Sequence, residues 1–74
     1  MIITLNDKEK ALLKKARIRY RENKDYSEDE ILTLADEIMD VELEYSLKSG
    51  SKAAQLAAEY SELADRIESL LPEE

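Results

Sequence analysis

The side chains with chemical potential in this chain are its charges, which make up 39% of the residues; histidine and cysteine are absent. General acid–base catalysis needs titratable groups brought together in a cleft, and nucleophilic catalysis needs an activated Ser, Cys, Thr or Lys beside a base. Without imidazole, thiol or a glycine-rich phosphate loop, these residues point away from an enzyme, and no catalytic or cofactor-binding set is assigned. The carboxylates suggest no metal centre either. Bundle metal sites built from glutamates add a Glu-x-x-His spacing that this chain cannot supply, and no calcium loop with its central glycine occurs. Asp36, Glu37, Asp40 and Glu44 recur at the spacing of a solvated helix face.

Two charged sets carry sharper expectations. Lys10, Lys14, Arg17 and Arg21 would form a basic stripe if they share one helix, the arrangement that phosphate contacts require. The net charge of −7 would repel nucleic acid over much of the remaining surface, so pairing with acidic neighbours is favoured over nucleic-acid binding. Glu42 falls within an apolar arc, one turn after Ile38 and one turn before Ser46. A carboxylate there loses water unless something answers it. The expected partner is Arg17, Arg19, Arg21, Arg66 or a tyrosine hydroxyl; the alternative is a specificity element at a protein interface.

These residues are positioned by helices. One glycine, one proline and abundant Ala, Leu, Glu and Lys describe an all-α chain. Seventy-four residues form a single domain, residues 1–74, near the size at which one core is barely sufficient. The expected fold is an antiparallel up-down-up three-helix bundle with helices at about 7–22, 28–48 and 52–71, preceded by an extended apolar segment, 1–5, and followed by a charged tail, 72–74. Asn6 with Glu9 begins the first helix. Ser27 with Glu30 forms a capping box for the second, and Tyr26 with Ile31 a hydrophobic staple. Gly50 is expected to end the second helix in a left-handed conformation, Ser51 to cap the third and Pro72 to stop it. A short polar turn at residues 23–25 would make the first two helices antiparallel neighbours.

The helix faces predict the core. Leu5, Leu12, Leu13, Ala16 and Tyr20 align in the first helix, and Leu56, Tyr60, Leu63, Ala64, Ile67, Leu70 and Leu71 in the third. The second helix is broader: Ile31, Leu34, Ala35, Ile38, Val41 and Tyr45 form one stripe, and Leu32, Met39, Leu43 and Leu47 a second. Together they exceed the ~100° arc that one-sided packing needs. The second stripe, with Glu42 and the outward Ile18 of the first helix, is the expected protein interface, extended by the apolar N-terminal segment.

The charge is unevenly spread. Residues 1–24 hold eight basic and three acidic side chains, and residues 25–74 hold three and fifteen. Opposite halves of this kind can be consumed by folding against each other. The run Ala35-Asp36-Glu37-Ile38-Met39 keeps the hydrophobic step of the Ser-Gln-Glu-Leu-Asp motif of small sporulation-type aspartyl phosphatases but lacks its serine, glutamine and terminal aspartate, and no family resemblance is drawn. No stretch has the ~18 apolar residues of a membrane span, and MIITLN lacks the make-up of a signal peptide. The lack of cysteine agrees with a cytoplasmic location. The resulting expectation is a small, non-enzymatic, cytoplasmic interaction or regulatory module with a protein partner, a second copy in a homodimer first among them, and no small-molecule substrate. The alternative is an acidic inhibitor that mimics nucleic acid.

Overall fold

A computed structural model describes residues 1–71 as an all-α three-helix bundle. Helix α1 spans Asp7–Lys15, α2 Glu28–Ser46 and α3 Ser51–Glu68. The expected charged tail and the proline stop at Pro72 lie outside the described residues.

The starts of the first two helices follow their local chemistry. Asn6 accepts from the Glu9 amide at 2.8 Å, and the Glu9 carboxylate accepts from the Asn6 amide at 2.9 Å. Ser27 and Glu30 make the same reciprocal pair, both bonds at 3.2 Å. Each box satisfies two amides that the first helical turn leaves without partners. Tyr26 and Ile31, the expected staple, are both buried.

The third helix begins differently. Gly50, expected to end the second helix, is instead the N-cap of α3, with φ 116° and ψ 153°, and no side chain caps that helix. The last cap of α2 is Leu47 in ordinary right-handed geometry. Residues 48–50 must then reverse the chain, and the glycine supplies the positive φ at that corner. Ser51 is the first residue of α3 rather than its cap.

The first helix departs most from expectation, ending at Lys15 rather than near residue 22. Arg17 adopts φ 60°, the Arg17 amide donates to the Lys14 carbonyl at 3.1 Å, and the Ile18 amide donates to the Leu13 carbonyl at 2.9 Å. This pair of bonds is a Schellman ending, with arginine in the left-handed position usually held by glycine. Residues 16–27 then run back beside the N-terminal segment. Tyr20 donates its hydroxyl hydrogen bond to the Ile3 carbonyl, the Arg21 amide donates to the Tyr26 hydroxyl at 2.9 Å, Lys10 pairs with Glu22, and Ile2 forms an antiparallel bridge with Asp25. The second half of the expected first helix is thus a non-helical return connection held by distant partners.

Helices α2 and α3 pack closely as an antiparallel pair. Tyr45 of α2 stacks on Tyr60 of α3 with ring centroids 5.7 Å apart. Contacts between α1 and α3 run in opposite order along the two helices: Glu9 meets Arg66, and the Tyr60 hydroxyl donates to the Leu12 carbonyl at 2.6 Å. Because the return connection takes up the reversal, α1 and α2 both run against α3, rather than against each other as a short turn would require. The core is continuous from Ile3, Leu5 and Leu13 through Ile31, Leu34 and Ile38 to Tyr60, Leu63 and Ile67. Each face predicted to point inward is buried or half-buried, and Ile3 and Leu5 make the N-terminal segment part of the core rather than a cover over it.

Candidate interaction surface

The outer face of α2 follows from its sequence period. At about 100° per residue, Ile31, Leu34, Ala35 and Ile38 share one side and are buried against the rest of the bundle. Leu32, Met39, Leu43 and Leu47 share another and are 47%, 40%, 56% and 80% exposed. Their mean direction lies roughly 125° from that of the buried face, and α1 and α3 leave it exposed while packing on the core side. From Leu32 to Leu47 the ridge extends about 22 Å at the helical rise. Scattered surface leucines are commonplace, but four on one side of a single helix form an apolar strip.

The ridge is framed by acids. Between residues 28 and 47 the chain has eight carboxylates and no lysine or arginine. Asp36 sits within the strip, between Leu32 and Met39. Asp29 and Asp40 flank one side, and Glu28 lies on the other near the start of the helix. Glu28, Asp29 and Glu30 in the first turn also complement the positive pole of the helix. Glu30 is held by Lys24 and by its capping bonds, which keep its carboxyl below the usual range.

Glu42 lies on the core side of α2, one turn after Ile38 and one turn before the helix ends. It is half-buried, and among the described residues its carboxylate takes part in no ion pair. Arg66, one of its expected partners, pairs with Glu9 and donates to the Thr4 carbonyl instead. Half-burial near the end of the helix lets the carboxylate remain partly hydrated, so it carries no fully buried charge to neutralise.

The other expected site residues are dispersed. Ile18 is half-buried against the core as the apolar residue after the Schellman ending, not outward on a helix. Lys10 and Lys14 belong to α1, Arg17 to its left-handed ending and Arg21 to the return connection, so these four do not line one helical stripe. Lys10 is engaged by Glu22, Lys8 by Glu59 and Lys24 by Glu30. Part of the basic N-terminal charge is therefore answered within the fold. Arg19 shares a shallow depression with Asp29, Glu30 and Glu37 of α2.

Sequence reasoning did not identify one further apolar feature. Met1, Tyr26, Ile31, Leu70 and Leu71 line an open groove of about 670 Å³ where α2 begins and α3 ends. Its walls come from three distant parts of the chain, so no local period announces it. Among the described residues, no group of three or more acidic side chains is gathered as a metal site, and no helix is long and apolar enough to cross a membrane. No family model, curated protein or solved structure matches the chain.

Proposed function

We propose that this protein is a non-enzymatic interaction module whose docking surface is the outer face of α2. The observation that carries this reading is the exposure of Leu32, Met39, Leu43 and Leu47 together on one side of a helix whose other apolar face already supplies the core. Such a surface suits helix-in-groove or helix-on-helix recognition, in which apolar side chains three and four residues apart act as anchors and rim charges select the partner. A regulatory role follows if docking occludes or repositions the partner. A cytoplasmic setting fits the cysteine-free composition.

The carboxylates of α2 support a second reading, an inhibitor that imitates nucleic acid in the basic groove of a DNA- or RNA-binding protein. The two readings differ in which side chains bear the affinity. The test is the double variant Met39→Ser/Leu43→Ser, compared with wild type for recovery of the native partner from cells and for self-association by sedimentation velocity. Docking through the ridge predicts loss of partner or self-association with helical content and melting temperature retained, because both side chains are exposed. Unchanged recovery and assembly would contradict it, and sensitivity only to neutralisation of Asp36, Asp40 and Glu44 would favour mimicry.

A further inference from the structure

The charge around the ridge identifies the chemistry of its occupant. We propose that α2 docks a cationic amphipathic segment of another protein, in which apolar anchors cover Leu32, Met39, Leu43 and Leu47 while lysines or arginines meet the surrounding carboxylates. This rests on the reading of the outer face of α2 as a docking surface and goes further by assigning the occupant.

A second copy is the poorer occupant of this face. A two-fold contact made through the ridge sets α2 against α2. The carboxylates along the ridge, Asp36 and Asp40 foremost, then approach carboxylates of the other copy, and no lysine or arginine between residues 28 and 47 answers them. Like charges brought together at an interface cost free energy and act against that pairing. A head-to-tail contact could instead offer the basic residues near the end of α1. Ile18 and Tyr20 there are half-buried against the molecule's own core, and the exposed apolar side chains nearby are Met1 and Ile2, two against the four of the ridge, so that surface brings charge with fewer anchors. An anionic membrane surface is repelled by the same carboxylates that a cationic segment would engage.

A cationic segment turns each of these costs into complementarity. Its apolar residues remove the ~22 Å strip from water. Its charges lie at the rim, where they speed encounter and fix register more than they add to affinity. Asp36 within the strip favours a lysine or arginine at the corresponding point of the occupant over another leucine.

The test uses fluorescence anisotropy with three synthetic helical peptides of equal length: a Leu/Lys amphipath, its Ser/Lys counterpart with the anchors removed, and its Leu/Glu counterpart with the charge reversed. The Leu/Lys peptide should bind wild-type protein and weaken with salt. Affinity should fall about tenfold or more in Met39→Ser/Leu43→Ser, since two central apolar anchors are truncated together. It should fall at least a few-fold, with a shallower salt dependence, in Asp36→Asn/Asp40→Asn. The Ser/Lys and Leu/Glu peptides should bind at least about tenfold more weakly than Leu/Lys. Equal binding of Leu/Lys and Ser/Lys, unaffected by the ridge variant, would overturn both this proposal and the docking reading. Ridge-dependent binding that prefers Leu/Glu, or a dimer dispersed by the ridge variant, would overturn the cationic partner while leaving the ridge a docking surface.

Discussion

At the residue scale, Arg17 is where the backbone is least at ease. A side chain at φ 60° costs about 1–2 kcal/mol relative to right-handed geometry, whereas glycine bears the conformation freely but loses roughly 0.5–1 kcal/mol in chain entropy. Arg17→Gly should therefore stabilise the fold by about 0.5–1 kcal/mol, which thermal unfolding would register as a rise of roughly 2–6 °C in Tm. Tyr60 is the opposite case, fully buried, with its hydroxyl on the Leu12 carbonyl. That carbonyl also accepts from the Ala16 amide at 3.1 Å, so Tyr60→Phe leaves no orphaned acceptor and should cost about 1 kcal/mol. Burial, then the neighbouring Tyr45 and Glu59, push the Tyr60 phenol above its ordinary value of 10.0. A raised folded value means that the unfolded chain releases this proton first as pH climbs. The contribution of the neutral phenol is complete below pH 10.0, and it is lost as pH rises toward and through the folded value. Denaturant titrations above pH 10.0 should show stability falling less steeply in Tyr60→Phe than in wild type.

At the scale of elements, the contrast lies between helices whose ends are written locally and one whose end is not. The capping boxes of α1 and α2 were legible because their partners are three residues apart. The end of α1 was not, because residues 16–22 contain no glycine or proline and favour helix by composition. Tyr20 on Ile3, Glu22 on Lys10 and the Tyr26 hydroxyl on the Arg21 amide draw that stretch away from helix. Those partners come from distant positions that periodicity cannot see. In α2, Ser27→Ala should cost about 1 kcal/mol in chemical denaturation by removing the cap. Glu30 is held below its ordinary 4.5, first by Lys24 and then by the Ser27 amide. Its contribution is present above pH 4.5 and lost as pH falls through the lowered value. Glu30→Gln should flatten the acid limb of stability against pH; an unchanged limb would remove the carboxylate from the account of how α2 begins.

At the scale of the whole molecule, the broad apolar arc of α2 divides into a buried and an exposed half. The four exposed members, Leu32, Met39, Leu43 and Leu47, were readable as a separate stripe because they recur at helical spacing. Whether neighbours covered them depended on the course of α1, which the sequence does not signal. The same dependence explains why Ile18 was expected outward: a helix continued to residue 22 would present it, and the Schellman ending turns it onto the core. Charge was partly legible as well. Lys8, Lys10 and Lys24 of the basic N-terminal third meet acids within the fold, while Asp36 and Asp40 of α2 stay along the ridge. The most direct measurement places a photo-crosslinking residue at Leu43 and, in a control protein, at the exposed Asp65 of α3, with both expressed in the native cell. Docking through the outer face of α2 predicts a discrete protein adduct from position 43 that is absent from position 65 and is lost when Met39→Ser is added. Adducts of equal yield from both positions, or from position 65 alone, would contradict it.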